Sequence, residues 1–176
     1  GINAADGSSS ESAPGQATAG VSLTITAGKV KVNTQGDGLD SNGDLTISGG
    51  EVYVDGPTNG GNGALDYDGN GTITGGTVVM VGSNGMAMGF GSNSKQASIL
   101  ANVSGSAGDK VTITDSSGKE ILSYTAAKNF QSVLASSAAI KDGGSYTITV
   151  NGQSTTATAS LTTQNGNGMG GGPGGR

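Results

Sequence analysis

The chain has no cysteine, no histidine and no tryptophan, and only 3% of its residues are aromatic. Without cysteine there is no disulfide, thiolate nucleophile or cysteine-ligated zinc. Without histidine the usual general base and most transition-metal sites are excluded. Without tryptophan the commonest flat platform for a neutral sugar is missing. Any bound metal would face carboxylate, amide and carbonyl oxygen, a donor set that suits calcium. No apolar run approaches 18 residues, so no transmembrane helix is expected. The chain opens at Gly1 with neither an initiator methionine nor a signal peptide, and the expectation is a mature form or a fragment.

What is abundant is glycine, 35 residues of 176. Disorder would also require few β-branched residues and a high net charge. Here Val, Ile and Thr alternate in order, and the net charge is only −5. A hydrophobic content of 32% fits thin cores and many turns. Charge is unevenly placed. Residues 1–94 carry nine acidic and two basic residues, and residues 95–176 carry four acidic and six basic. The acidic half argues against nucleic acid, which needs stripes of Lys and Arg. It favours cations, or anionic partners reached through cations.

Three segments share one pattern: Leu23–Val32, Leu45–Val54 and Gly71–Met80. Ile25, Ile47 and Ile73 fall 22 and 26 residues apart, as do Val30, Val52 and Val78. Gly38-Leu39-Asp40 and Ala64-Leu65-Asp66 precede the second and third segments. Each unit reads as short strand, Asp/Gly turn, strand, Gly-Gly corner, strand and loop. Stacking about 4.8 Å apart would turn the Ile and Val sets into continuous ladders. The expectation is an all-β chain: a right-handed parallel β-helix over 1–94 with rungs of 22–26 residues, interrupted by a loop at 8–20. A β-rich C-terminal module over 95–163 would cap it, and 164–176 would be a flexible Gly-rich tail. In the C-terminal module, strands are predicted at 98–103, 110–114, 120–124, 130–134, 146–150 and 157–162; residues 126–141 also allow a short helix. Met80, Met86, Met88 and Phe90 are expected to plug the junction.

Asp40-Ser41-Asn42-Gly43-Asp44 aligns with Asp66-Tyr67-Asp68-Gly69-Asn70. Oxygen side chains therefore recur at i, i+2 and i+4, as in the first half of a calcium loop. The twelfth position from Asp66 is Thr77, not Glu, so this is no EF-hand. Stacked, Asn3, Asp40 and Asp66 would form one column, and Asp6, Asn42 and Asp68 another. Carboxylates about 5 Å apart repel by roughly 1 kcal/mol in water, and a cation would reverse that sign. Asp37, in a Gly-Asp-Gly bend, could add a ligand. The plain alternative is that these residues only make turns, which Asp-Gly and Asn-Gly do very often.

A lyase or hydrolase acting on polysaccharide is the third alternative. The only arginine is Arg176, in the tail, and no carboxylate pair is marked as burying an acid. Catalysis is not expected. Outward positions Lys31, Tyr53 and Val79 align, as do Lys29, Glu51 and Thr77. Tyr53, Tyr67 and Lys31 are the candidate ligand contacts, weighed against a plain exposed face.

Gly36–Gly50 followed by Asp55–Gly69 resembles the carbohydrate-binding β-helix proteins of clostridia and related bacteria, and the Gly-Met-Gly-Gly-Gly-Pro-Gly-Gly tail is similar to ends in that family. The resemblance is specific over 1–94 and looser beyond. It implies an extracellular or cell-surface protein with a pectate-lyase-like fold that binds cellulose-like and polygalacturonate chains and carries Ca2+ without established catalysis. Carried over residue by residue, it implies calcium ligation at Asp37, Asp40, Asp66 and Asp68, with Asn42, Asp44, Asn3 and Asp6 as weaker positions. The expected function is non-catalytic, calcium-assisted polysaccharide binding, with no nucleic acid and no membrane span. The rival is a subunit of a filament or surface fibre, assembling through open β-helix ends by stacking or strand addition.

Overall fold

Period-two alternation over a few residues, punctuated by Gly and Asp turns, dictates strands too short to stand alone. The computed structural model describes residues 1–7 and 16–163. The core of the expected inserted loop, residues 8–15, and the expected tail, 164–176, lie outside the described residues. Among the described residues there are strands and no helix. They are β1 (Ile2–Ala4), β2 (Ser22–Ile25), β3 (Lys29–Asn33), β4 (Leu39–Ser41), β5 (Asp44–Ile47), β6 (Glu51–Asp55), β7 (Leu65–Tyr67), β8 (Gly71–Ile73) and β9 (Thr77–Gly82). The second half adds β10 (Ser98–Gly105), β11 (Lys110–Thr114), β12 (Glu120–Thr125), β13 (Phe130–Ser136), β14 (Ser145–Val150) and β15 (Gln153–Thr158).

The expected parallel β-helix is corrected by the sheet topology. The strands form four separate sheets: two parallel, one mixed and one antiparallel. β1-β4-β7 and β2-β5-β8 are parallel and three-stranded. The mixed sheet, β10-β13-β9-β6-β3, is parallel from β3 to β9 and antiparallel at β9–β13 and β13–β10. The fourth, β12-β11-β14-β15, is antiparallel throughout. The physical reason lies at β9. The repeat supplies three parallel strands per set and stops, and β13 then pairs with the exposed edge of β9 instead of the pattern continuing. One sheet therefore runs across residue 94, with strands from the C-terminal half covering the open edge of β9.

The pairings inside the repeat fall where the alignment put them. Ile25 pairs with Ile47 and Ile47 with Ile73. Val30 pairs with Val52 and Val52 with Val78. The Gly-Gly corners are explained by crowding and by handedness. A β-carbon at Gly49 would stand 2.3 Å from the Thr26 carbonyl oxygen, and Gly50 adopts φ +83°. Only glycine takes both conditions in succession without strain.

One core draws on all three parallel sets, with Leu39, Ile47, Leu65, Ile73, Val52 and Met80 buried in it. Each such side chain contributes roughly 1.5–3 kcal/mol by leaving water. Phe90 and Met80 belong to this core and Met88 packs against it, but Met86 is 44% exposed and plugs nothing. A second core lies between the four-stranded sheet and the β9–β13–β10 side of the mixed sheet, and includes Val81, Ile99, Val133, Ile113 and Ile148. The mixed sheet is thus covered on both faces there. That explains why Val78-Val79-Met80-Val81 is a continuous buried run and not an alternating one.

Residues 130–136 are strand β13, which settles the open choice over 126–141 against a helix there. The last strand lies at 153–158, not 157–162. Asn151 (φ 47°) and Gly152 (φ 77°) make a tight hairpin turn between β14 and β15, an Asn-Gly signal that sequence reading missed.

Candidate functional site

The acidic turns lie on β4 and β7, whose outward positions are fixed by Leu39, Ser41, Leu65 and Tyr67 pointing inward. Asp40 pairs in register with Asp66, and Asn3 pairs with Asp40, so the first expected column is present. The Asn3 side-chain amide donates to the Asp40 carboxylate. Both aspartates are half-buried. Partial loss of water pushes the Asp40 carboxyl above its ordinary range, and the charges of Asp66, Asp37 and Asp68 add to this. Asp66 is raised by the same partial burial and by Asp37 and Asp68.

The other expected ligands behave differently. Asp37 accepts the Gly63 N–H at 2.7 Å. Asp44 accepts the Asn70 N–H at 2.8 Å and its side-chain amide at 3.2 Å. These bonds join one repeat to the next, 26 residues on, and Asp44 is not among the charges acting on Asp40 or Asp66. Asn42 is fixed through its backbone, donating to Ala4 at 3.0 Å and accepting from Thr18 at 2.6 Å. Asp68 donates its N–H to Ser41 at 3.0 Å. Among the described residues, no three of the His, Cys, Asp and Glu side chains gather as a metal-holding group. All-oxygen donors carrying uncompensated negative charge fit calcium chemically, but they offer an in-register pair on which Asp37 and Asp68 also act and not a closed cage.

A different constellation sits on the outer face of β3 and β6. Lys31 pairs with Tyr53, and Lys29 with Glu51. The Lys29 ammonium lies 3.1 Å from Glu51 and 5.4 Å from the Tyr53 ring centroid. The Tyr53 hydroxyl donates to Glu51 at 3.2 Å. Tyr124, from edge strand β12 of the four-stranded sheet, stacks on Tyr53 with centroids 5.4 Å apart and planes 5° from parallel. The Lys31 ammonium lies 5.9 Å from the Tyr124 ring centroid. Cation–ring contacts of this kind contribute roughly 0.5–1 kcal/mol at exposed sites.

Tyr124 is held from below. Asp55 is fully buried and accepts the Tyr124 hydroxyl at 2.6 Å and the Ala127 N–H at 2.8 Å. Burial raises the Tyr124 phenol well above its ordinary range, and its bond to the Asp55 carboxylate adds to the shift. Lys128 donates to the Thr34 carbonyl and, at 3.4 Å, to that of Gly56. These bonds tie the turn after β12 onto β6.

Of the three expected ligand contacts, Tyr53 and Lys31 share this face. Tyr67 does not, and its expected exposure is corrected. It is 4% exposed and donates its hydroxyl to Gly89 at 2.6 Å. Its inward position on β7 and the missing side chain at Gly71 draw the ring into the core. Tyr124 and Asp55 were missed because 69 residues separate them and no local pattern joins them.

No family model, curated protein or solved structure matches the chain.

Proposed function

We propose that the protein binds polysaccharide without cleaving it, at the extracellular or bacterial cell surface, through the face formed by Tyr53, Tyr124, Lys29 and Lys31. The observation carrying this reading is the parallel ring pair with an ammonium group beside each ring. Rigid aromatic surface packs against the C–H faces of sugars at little entropic cost, and ammonium groups pair with carboxylates by charge-assisted hydrogen bonds. Lys29 is paired with Glu51, and Lys31 is the ammonium group left to meet a glycan carboxylate on an otherwise acidic half of the chain, which favours acidic glycans such as polygalacturonate over neutral, cellulose-like ones. Calcium is proposed to act at Asp40 and Asp66, where it would neutralise the paired carboxylates.

The test is a pull-down with insoluble polygalacturonate and cellulose. Tyr53→Ala and Lys31→Glu should each reduce recovery on polygalacturonate, and neither incubation should release soluble product. Undiminished recovery of both variants would overturn the reading.

Assembly through strand edges has its own observation: β1, β2 and β3 each lie at the edge of a sheet. At β3, however, Lys29 and Lys31 blunt strand addition by charge. Light scattering that reports long assemblies would favour this rival.

A further inference from the structure

We propose that a cleft of about 340 Å³ on the β10 side of the mixed sheet, beyond the end where β10 begins and β13 stops, binds one small polyhydroxylated carboxylate, a sugar acid. It is lined by Lys95, Gln96, Ile140, Lys141, Asp142 and Leu161, among others. These residues lie in the segment before β10, the segment between β13 and β14, and the stretch after β15. The Tyr53–Tyr124 face lies toward β3, the opposite edge of the same sheet. The volume falls in the lower part of the range for small-molecule sites, roughly 300–1,000 Å³.

The lining chemistry selects the ligand. Among the described residues the ion pairs are Lys29–Glu51 and Lys110–Glu120, so neither Lys95 nor Lys141 is held in a direct ion pair, and with Asp142 the three charged groups at the cleft leave one net positive charge. Lys141 donates to the Ala138 carbonyl at 2.6 Å, which holds its ammonium at the cleft. Two ammonium groups at one cleft call for an anion. Asp142 excludes a multiply charged one. Its Oδ1 accepts the Leu161 N–H at 3.0 Å, leaving the other oxygen to accept a hydroxyl. Gln96 spends its amide nitrogen on Gly76 and Ser136, both at 2.9 Å, which fixes the side chain with its carbonyl oxygen as a second acceptor. Leu161, half-buried over the core that holds Ile140, gives an apolar wall for the C–H side of a ring. One carboxylate, several hydroxyls and a C–H face together describe a sugar acid. The cleft is independent of the Tyr53–Tyr124 face, and the two can fail separately.

The test is a titration of the full chain followed by amide NMR, using galacturonate, galactose and acetate as probes. Galacturonate should shift the amides of Lys95, Gln96, Ile140 and Lys141, while galactose and acetate at equal concentration should move them little. Lys95→Gln/Lys141→Gln, at two exposed positions, should raise the galacturonate Kd roughly tenfold, as expected on losing charge-assisted hydrogen bonds. No shift at these amides, equal shifts with galactose or acetate, or an unchanged Kd in the double variant would each overturn the site. Should the variant not fold, the wild-type titration with the three probes decides alone. Shifts confined to the surroundings of Tyr53 and Tyr124 would also reject the cleft while sustaining the face.

Discussion

A side chain at Gly71 would begin inside the ring of Tyr67: a β-carbon there would stand 2.1 Å from the ring's Cε1 and Cζ. One tier earlier the sizes are reversed. Ser41 pairs with Tyr67 and Leu45 with Gly71, so a small–large pair is followed by a large–small pair at equivalent positions. The two tiers fill the same space with opposite partners.

This exchange predicts coupling. Gly71→Ala should destabilise by roughly 1–3 kcal/mol through overpacking. Tyr67→Ser should cost about 3–5 kcal/mol by leaving a cavity. The double variant Tyr67→Ser/Gly71→Leu restores the arrangement of the preceding tier. It should lose less than the sum of Tyr67→Ser and Gly71→Leu measured separately, by roughly 1–3 kcal/mol in urea denaturation. It should not recover fully, because the Gly89 carbonyl loses its donor. Additive losses would show that the two sites do not share one space.

The buried carboxylate of Asp55 makes a second prediction. Asp55→Ala removes the acceptor of both Tyr124 and Ala127 and should cost about 3–6 kcal/mol, at roughly 1.5–3 for each hydrogen bond to a charged acceptor. Tyr124→Phe removes one bond to that carboxylate and should cost about 1.5–3 kcal/mol. Tyr124→Phe keeps the ring, so polysaccharide recovery should fall less than with Tyr53→Ala. If Tyr124→Phe leaves the urea midpoint unchanged, Asp55 does not hold the ring.

The contrast between these two cases marks what the chain discloses locally. The ladders of Ile25, Ile47 and Ile73 were legible because period-two alternation and a repeated Gly-Gly corner are short-range signals. Gly71 in place of Leu45 is visible in the aligned segments, but the Tyr67 ring that fills its space is a packing contact no alignment shows. The sheet architecture was not legible, because pairing of β13 with β9 joins strands about fifty residues apart that share no motif. A still longer separation, 69 residues, hid the contact of Tyr124 with Asp55. Asp44 lies in the aligned motif and Asp37 in the bend before it, and Oδ1 of each accepts a backbone N–H from the next repeat, a contact that spacing alone does not disclose.

The Asp40–Asp66 pair predicts an unusual response to acid. Partial burial, joined by neighbouring carboxylates, raises both groups above the ordinary value of 3.8. The folded chain therefore binds these protons more tightly than the unfolded chain. Their stabilising contribution is complete below 3.8 and is lost as pH rises through the raised folded values. Asp40→Asn should thus raise stability at neutral pH, by less than about 1 kcal/mol at this half-exposed position. It should also flatten the dependence of Tm on pH in the window just above 3.8. A neutral-pH Tm lower than that of the wild type would contradict the repulsion.

The same repulsion sets the size of the proposed calcium effect. Calcium sites in extracellular modules bind at roughly 10⁻⁴–10⁻³ M. A native-state ligand at about 10 mM would then add roughly 1.4–2.7 kcal/mol, or a Tm increase of several degrees for a chain of this size. Asp40→Asn/Asp66→Asn should abolish that increase and should already be more stable than the wild type in chelator, because the charges that calcium would neutralise are gone. Magnesium, smaller and more reluctant to shed water, should give a smaller increase at equal concentration. Wild-type melts that coincide in calcium and in chelator would remove calcium from the proposed function. Polygalacturonate binding would then rest on the Tyr53–Tyr124 face and its two lysines.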